Sequence, residues 1–553
     1  MKKRILLILS AWIVIATIHA QSVIDIVFTN TKATVTIPSS VSGVTSSVSG
    51  TNVTITSTTT NKEYTYRVSG TCADGQLVIN GNYKLTLVLA GINLTNSHGG
   101  AAIDVECGKR IAVQLASGTV NTLADAATGS QKAALYFKGH PEIEGGGTLF
   151  VTGRLKHAIC AKEYMQLKRT TGQINILGAV SDGIHCGKGK ADNEHNYFQM
   201  DGGTVNIANV GSDGIDSDDY GVIRINGGAL SVNVADGGAG LNADSILTVN
   251  DGLVNIEVPG HDADALRADY ALQISGGDIS IIVSGDGSKG LKSKCQTEAT
   301  ATVKDGGNLT ICGGTTSIEI LGDTYNDTTG GTSDCVAIFA DKTLTQTDGT
   351  VDIVAMGLEA IPYKAKEGEN LNGGELTITR IPWKIKTRDY AYDMTIYGIV
   401  AVDGSLIDDY TDKAIGAFIG DECVGYGVFE SNDYGTLRIR SSESGTRKIS
   451  FQLYDYITGR ETALTTDDAV YFAHESVVGT PGYPIVLYTG RFLRGDVNAD
   501  GMVDISDVLA TVSHILSKPE PVFIRQAADV VADDKIDISD VLGIVDIILG
   551  KSK

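Results

Sequence analysis

The sequence of 553 residues predicts an all-β protein: a right-handed parallel β-helix, then a β-sandwich module, then a small α-helical domain. Two observations carry the prediction of the β-helix. A glycine-marked unit recurs about every 25 residues, for example at Gly203, Gly228, Gly252 and Gly277. After each mark, apolar and polar residues alternate as they do in a strand with one buried face.

Each unit contributes two apolar columns to the expected core. The first column stands two and four residues after the glycine and includes Ile174/Ile176, Val205/Ile207, Leu230/Val232 and Val254/Ile256. The second column marks a tight corner and includes Ile159, Ile184, Ile215, Leu241, Leu266 and Leu291. Coils stacked roughly 4.8 Å apart explain both columns. A propeller, the alternative all-β repeat, would need about 40 residues per unit.

Composition divides the chain into five segments. Residues 1–20 join three basic residues to a short apolar run, which predicts a signal peptide and a secreted or cell-surface protein. We expect an N-terminal β cap at 21–70, the β-helix at 71–380, the sandwich at 391–488 and the helical domain at 494–553. No later segment is apolar enough for a transmembrane span.

The charge of the chain argues against nucleic acid as a partner. The formal net charge is −22, and removing Lys2, Lys3 and Arg4 with the signal peptide makes it −22 − 3 = −25. Such an acidic protein repels the phosphate backbone.

Oxygen-bearing residues near the C-terminus follow the spacing of calcium loops. The first loop offers Asp496, Asn498, Asp500, Met502, Asp504 and Asp507. The second, 33 residues later, offers Asp529, Asp533, Lys535, Asp537 and Asp540. Alternate oxygen ligands wrap a calcium ion in such loops, and Met502 gives its backbone carbonyl. The second loop is imperfect, because Val531 replaces an oxygen ligand and Asp534 stands where glycine is expected.

Two such loops, each followed by an apolar helix, resemble a type I dockerin over about Gly495 to Gly550. The resemblance implies that positions 10 and 11 of each loop contribute to recognition of a cohesin. These residues are Ile505, Ser506, Ile538 and Ser539. A cohesin-bearing scaffold is therefore the expected protein partner.

Acidic residues also recur beside the corner column of the coils. Asp213, Asp216, Asp218 and Asp219 are the densest group and our predicted calcium site, and Asp244, Asp264 and Asp269 continue it on later coils. Two carboxylates about 4.8 Å apart repel by about 3.5 kcal/mol at an effective dielectric of 20, which a cation relieves. The alternative is that these acids are ordinary turn residues facing water.

The corner motifs SDGIHC at Ser181 and SDGIDSDD at Ser212 resemble an exported family of carbohydrate-binding β-helix proteins with a polysaccharide-lyase-like fold. The resemblance covers roughly residues 60 to 380. It implies calcium-assisted, non-catalytic binding of plant cell-wall polysaccharide, either acidic pectin or cellulose. Only Trp383 remains beyond the signal peptide, so a flat indole platform for cellulose is not expected. Calcium can bridge carboxylates, which favours pectin.

The same pattern fits two other functions. A calcium-dependent, pectate-lyase-like enzyme would need a basic side chain to remove a proton, and Arg267 and Lys292 are the candidates. A surface adhesin without sugar specificity is the second, because a fold does not fix a function.

Overall fold

A computed structural model describes residues 23–187, 196–296, 305–385, 390–429, 434–443, 445–518 and 520–551. The expected signal peptide lies outside these residues. The first compact unit contains the described residues up to Ile318 together with Tyr325–Asp352 and Tyr363–Thr377. The second contains Glu319–Thr324, Ile353–Pro362 and the described residues from Ile378 onward. No helix in the described residues is both long and apolar enough to cross a bilayer.

A thirteen-stranded sheet follows the corner column of the sequence. Its strands pair in chain order, and from Asn52–Ser57 to Val336–Ala340 every pairing with a defined register is parallel. The strands are Val44–Ser49, Asn52–Ser57, Gln76–Gly81, Ile103–Glu106, Ala133–Phe137, His157–Ala161, Ile184–Cys186, Ile215–Ser217, Ala239–Ala243, Asp264–Ala268, Lys289–Ser293, Val336–Ala340 and Ile361–Ala365.

A nineteen-stranded sheet takes up the rest of each repeating unit. Its strands are Val23–Phe28, Ala33–Thr36, Thr65–Cys72, Leu85–Thr95, Arg110–Leu115, Val120–Ala124, His140–Glu144, Thr148–Gly153, Met165–Leu167, Gln173–Ala179, Tyr197–Met200, Thr204–Ile207, Val222–Asn233, Ile246–Val258, Ala271–Ile274, Asp278–Val283, Asn308–Ile320, Thr343–Met356 and Gly368–Ile381. Two short pairs, Cys295–Gln296 with Asp305–Gly306 and Tyr325–Asn326 with Thr332–Ser333, lie in the longer insertions.

The predicted apolar columns form the core in the predicted register. Val205 is the ladder partner of Leu230, which is the partner of Val254. On the other sheet, Ile215 pairs with Leu241 in the same way. All five side chains are buried. Stacking like residues on successive coils removes their apolar surface from water at about 25 cal/mol per Å².

The glycine marks are required where the coils turn. Gly252 has a φ of +103°, a backbone conformation that residues with a side chain rarely adopt. A Cβ at Gly252 would lie 2.9 Å from the carbonyl oxygen of Gly228, one coil earlier. The same close approach recurs along the stack, which explains why the mark repeats with the coils.

The N-terminal segment adds two antiparallel hairpins to the parallel sheets. Val23–Phe28 pairs with Ala33–Thr36, and Val44–Ser49 pairs with Asn52–Ser57. The first strand of one hairpin and the second strand of the other continue the stack in parallel fashion. The hairpins lie where the sequence predicts a β cap.

The strands described within 391–488, where the sequence predicts a β-sandwich, are connected by hydrogen bonds into one nine-stranded sheet. One buried cluster, which includes Ile396, Leu437 and Phe451, gathers residues from strands across this sheet. The arrangement of the sheet as a sandwich stays a prediction. The strands are Tyr392–Val402, Ser405–Leu406, Lys413–Ile419, Glu422–Val428, Gly435–Ser441, Ser450–Asp455, Arg460–Leu464, Val477–Val478 and Ile485–Tyr488.

Three helices follow: α1 (Ile505–Ile515), α2 (Arg525–Ala528) and α3 (Ile538–Ile548). α1 and α3 are the apolar helices that the sequence predicts after the two loops, and each begins directly after an aspartate. These residues, Asp504 and Asp537, set the starting points, because each caps its helix and accepts a hydrogen bond from the backbone two residues on.

Candidate functional site

One polar column runs along the thirteen-stranded sheet, on the side opposite its apolar core. Each member follows a corner residue by one position, and alternation along a strand turns it away from that core. Neighbouring members are ladder partners on successive coils, so they stand about 4.8 Å apart. The column comprises Asp104, Tyr136, Cys160, His185, Asp216, Asn242, Arg267 and Lys292.

Two histidines that the sequence analysis missed lie at the middle of the column: His185 is a member of it, and His157 lies beside it. The rings of His157 and His185 stack with their centroids 4.3 Å apart. Nδ1 of His157 lies 2.9 Å from Oδ2 of Asp182, and Nδ1 of His185 lies 3.1 Å from the same oxygen. All three side chains are buried. When the corner motifs are aligned by their apolar residue, His157 takes the same position as Asp182. This alignment could have identified His157 from the sequence.

Electrostatics fix the charges in this group at neutral pH. Burial acts to raise the pKa of Asp182, but the two histidines outweigh it and hold that pKa well below its usual range. Burial acts to lower the pKa of His185, yet Asp182 and Asp216 raise it to about 9. Burial lowers the pKa of His157. The group is therefore an ionised carboxylate beside one charged and one neutral imidazole.

Two of the predicted calcium ligands adjoin the histidines. Oδ2 of Asp216 lies 2.9 Å from Nδ1 of His185, and its Oδ1 accepts a hydrogen bond from Asn242. Asp213 accepts hydrogen bonds from the backbone N–H of Ala239 at 2.6 Å and from Asn242 at 3.2 Å. Burial raises the pKa of Asp213 to about 6 and also raises that of Asp216. Asp216 contacts the charged imidazole of His185, whereas the hydrogen bonds to Asp213 come from neutral groups, so the negative charge of Asp213 is poorly solvated.

The other predicted acids are more spread out. Oδ2 of Asp218 lies 3.8 Å from Nε2 of His185. Asp219 is exposed at a positive φ, and its backbone N–H donates to Asp244. The side chains of residues 213–219 point in different directions, although the residues are adjacent in sequence. The four acids predicted as one calcium site therefore do not form a single cluster in the structure.

Ion pairs dominate the next coils. Both carboxylate oxygens of Asp264 lie within 3.1 Å of Nζ of Lys292. Nε of Arg267 lies 3.1 Å from Oδ1 of Asp269. The two acids predicted to hold calcium are thus paired with the two residues considered as catalytic bases. A paired, charged Lys or Arg is a poor proton acceptor.

Three groups of side chains in the described residues bring possible metal ligands together, each with its donor atoms within 4.8 Å of one another. Asp182, Asp213 and Asp216 offer only carboxylate oxygens, the donor set that hard cations such as calcium prefer. The groups His157/Asp182/His185 and His185/Asp216/Asp218 mix nitrogen with oxygen. The carboxylate group therefore fits calcium best; it includes Asp182 and contains neither Asp218 nor Asp219 of the predicted ligands.

The first C-terminal loop has the geometry of a preformed ion cradle. The two carboxylate oxygens of Asp496 accept the backbone N–H groups of Asp500 and Gly501 at 3.2 and 2.9 Å. Asp507 accepts from Val497 and from Asp504 at 2.6 and 2.8 Å. These bonds hold acidic side chains inside one turn of backbone. Burial raises the pKa of Asp496 to about 6, and Asp507 and Asp500 add to the shift.

The second loop repeats most of the backbone hydrogen bonds of the first. Asp529 accepts from the backbone N–H groups of Asp533 and Asp534 at 3.0 and 2.9 Å. Asp540 accepts from Val531 and from Asp537, both at 3.0 Å. Asp534 adopts a φ of +62°, so it reproduces the turn made by Gly501, because Asp tolerates this conformation better than most residues. The missing glycine does not disturb the loop.

The two long helices expose matching apolar residues. Ile505 and Ile538 begin α1 and α3, and each is 64% exposed. Leu509 and Leu542, one turn later, are also exposed. Ser506 and Ser539 donate their backbone N–H groups to the caps, so they occupy equivalent places. The four predicted partner-binding residues therefore recur at equivalent positions on two helices.

Two family models match separate parts of the chain. Residues 49–263 match a family model described as a carbohydrate-binding domain-containing protein, and residues 494–549 match the type I dockerin domain. No curated protein matches the sequence. A solved polysaccharide lyase-like protein from C. thermocellum, a gadolinium derivative, is 19% identical. That match covers 64% of this chain and 96% of the other, with a TM-score of 0.27. The two family matches support a polysaccharide-binding protein with a dockerin assembly tail.

Proposed function

We propose that this chain is a secreted or cell-surface, non-catalytic protein that binds plant cell-wall polysaccharide with the help of calcium. Acidic pectin is the favoured ligand, and cellulose is the other. The observation that carries the proposal is the carboxylate group of Asp182, Asp213 and Asp216 within the segment that matches the carbohydrate-binding family. We also propose that the stacked strands wind as a right-handed β-helix, the usual hand of parallel crossovers.

Calcium suits the carboxylate group for two reasons. The donors are hard oxygens, and the raised pKa of Asp213 marks a charge that the fold solvates poorly. When bound, calcium would supply a positive charge to which a uronate carboxylate of the ligand can also coordinate. The backbone N–H of Ala239 and the amide of Asn242 hold the protein carboxylates in place for this contact.

The charged pairs on the later coils support binding without cleavage. A lyase reaction needs an uncharged or poorly paired base next to the sugar. Lys292 and Arg267 are instead engaged by Asp264 and Asp269. These pairs suit a structural role, in which basic side chains offset buried acids.

The C-terminal domain is proposed to bind two calcium ions and to dock on a cohesin-bearing scaffold. The matching hydrogen bonds of the two loops support both ion sites. The equivalent exposed residues Ile505 and Ile538 support a docking surface present in two copies. A partner can then bind either helix face in the same way.

Incubation with polygalacturonate tests the proposed function. The mature chain is mixed with the polymer in calcium or in chelator, and both co-retention and ultraviolet absorbance of unsaturated products are followed. We expect calcium-dependent retention without absorbance. Asp213→Asn should weaken retention, whereas Asp278→Asn, an exposed carboxylate on the nineteen-stranded sheet, should not. Rising absorbance that Lys292→Ala abolishes would establish a lyase, and no retention on any polysaccharide would favour an adhesin.

A further inference from the structure

The buried group of His157, Asp182 and His185 contains two ring nitrogens that the proposed function does not use. Each residue of the group offers one ligand atom, and these atoms lie within 4.8 Å of one another. The histidines are 2% and 6% exposed, and the aspartate is 4% exposed. Two imidazole nitrogens with one carboxylate oxygen suit zinc and related divalent transition ions, whereas calcium and magnesium prefer oxygen ligands alone.

The spacing within the group is close to that of ligands around a zinc ion. Oδ2 of Asp182 lies 2.9 Å from Nδ1 of His157 and 3.1 Å from Nδ1 of His185. Ligand atoms held about 2.0 to 2.1 Å from a tetrahedral zinc ion stand about 3.3 Å from one another. Side-chain shifts of a few tenths of an ångström would therefore bring both contacts to the spacing that zinc requires.

The Nδ1 atom of His157 is buried and makes no hydrogen bond with any of the described residues. Oδ2 of Asp182 lies beside it, but the contact does not have the geometry of a hydrogen bond. Burial lowers the pKa of this imidazole, so the ring is neutral at neutral pH. A neutral imidazole can carry its proton on Nε2 and offer the lone pair of Nδ1 to a metal ion. An unpaired buried nitrogen is costly, and a bound ion would relieve that cost.

The second imidazole is oriented by carboxylates on both of its nitrogens. Nδ1 of His185 lies 3.1 Å from Oδ2 of Asp182 and 2.9 Å from Oδ2 of Asp216. Nε2, at the other side of the ring, lies 3.8 Å from Oδ2 of Asp218. A carboxylate near the second nitrogen is typical of metal-bound histidines, because it keeps the proton there. Asp182 and Asp216 raise the pKa of His185 to about 9, and a divalent ion would take the place of that proton on Nδ1.

We propose that His157, Asp182 and His185 bind one divalent transition ion, with zinc as the expected metal, and that this ion links two neighbouring coils. His157 lies on one coil, and the other two residues lie on the next. The ion would be enclosed as these coils come together during folding, so the site needs no open path from solvent. This inference goes beyond the proposed function, because it requires no polysaccharide.

The zinc site and the calcium site can both be occupied. Asp182 belongs to both groups, and its Oδ2 atom faces the imidazoles. Its Oδ1 atom instead accepts a hydrogen bond from the backbone N–H of Asp213, at 3.4 Å. The two oxygens of one carboxylate can therefore serve two ions, one on the histidine side and one on the side of Asp213.

Refolding of the full mature chain with defined metals tests the proposal. The chain is unfolded in urea with chelator, desalted, and refolded in excess calcium with or without zinc, so that calcium fills the sites made only of oxygen. After dialysis we expect one zinc ion per chain by mass spectrometry of metals. The thermal midpoint should be several degrees higher than in the chain refolded without zinc. Refolding with cobalt should give visible absorption bands of Co²⁺ bound to nitrogen and oxygen.

Variants of single histidines locate the ion. His157→Gln and His185→Gln each remove one nitrogen ligand and keep a polar side chain. Each should weaken zinc binding by about tenfold or more, and abolish both the cobalt bands and the zinc-dependent rise of the thermal midpoint. His98→Gln is the matched control and should behave as wild type, because His98 is an exposed histidine whose Nδ1 lies 2.5 Å from Oδ2 of Asp74. A cooperative urea transition without zinc shows that each variant folds.

The outcomes separate this proposal from the proposed function. Wild type that takes up neither zinc nor cobalt would overturn the proposal, whether or not the variants fold. Zinc that stays bound in both His157→Gln and His185→Gln would also overturn it, because the ion would then lie elsewhere. Asp213→Asn should keep its zinc while its calcium-dependent retention on polygalacturonate falls. Wild type that binds zinc but no polysaccharide would support this site and overturn the proposed function alone.

Discussion

Asp104→Asn is expected to stabilise the folded chain at neutral pH. The pKa of Asp104 is raised from 3.8 to about 6 by burial, so the folded state favours the protonated carboxyl. Folding therefore loses stability as pH rises from about 3.8 to about 6, and the full loss persists above that range. A shift of about 2 units corresponds to about 3 kcal/mol. The amide has the same shape and carries no charge.

Urea unfolding followed by circular dichroism, at pH 7.5 and at pH 3.5, measures this effect. At pH 7.5 the free energy of unfolding should be larger in the variant by up to about 3 kcal/mol. At pH 3.5 the two proteins should be nearly equal, because the wild-type carboxyl is then protonated in both states. Asp278→Asn, at an exposed strand position, controls for the loss of a surface charge. A difference that does not change between the two pH values would refute the reasoning.

Four further predictions test other parts of the molecule. Lys292→Met should lower the free energy of unfolding in urea by about 3 kcal/mol, because it leaves the buried carboxylate of Asp264 unpaired. A smaller loss of stability in the double variant Lys292→Met with Asp264→Leu would confirm this cause. Gly252→Val should lower the thermal midpoint by several degrees, since a side chain meets backbone at a positive φ. Asp496→Ala should remove one calcium equivalent from a titration of the full chain. Ile505→Asp combined with Ile538→Asp should abolish capture by a type I cohesin in surface plasmon resonance. The thermal midpoint should stay unchanged, because both side chains are exposed.

The core could be predicted from the sequence because period-2 alternation and the glycine mark specify the same register. Val205, Leu230 and Val254 stack as ladder partners, as their distances from the mark indicate. A slip of one residue would turn every apolar side chain outward, so the pattern determines the pairing. The positions of the two C-terminal loops could be predicted equally well, because each residue of an expected calcium loop has a fixed place relative to the next.

The candidate site was less predictable because it depends on which coils are neighbours. His185 meets Asp216 across a spacing of 31 residues, since a longer connection lies between their coils. Reading the acids by local density selected Asp219, which turns away from the group at a positive φ. It also left out Asp182, which lies close to Asp213 and Asp216 only in three dimensions. Local sequence gives the type of side chain, and stacking gives its neighbours.

Stacking also indicates where an ion is needed. Parallel register sets equivalent side chains about 4.8 Å apart, so like charges on successive coils must be compensated. Arg267 and Lys292 are ladder partners of like charge, and each has its own acid. The carboxylates of Asp182 and Asp213 approach within 4.8 Å, where two ions at an effective dielectric of 20 repel by about 3.5 kcal/mol. His185 contacts Asp182 and Asp216, whereas the hydrogen bonds to Asp213 come from neutral groups. Asp213 is therefore the carboxylate of this group whose charge is least compensated, and a calcium ion shared with an acidic sugar would contribute most there.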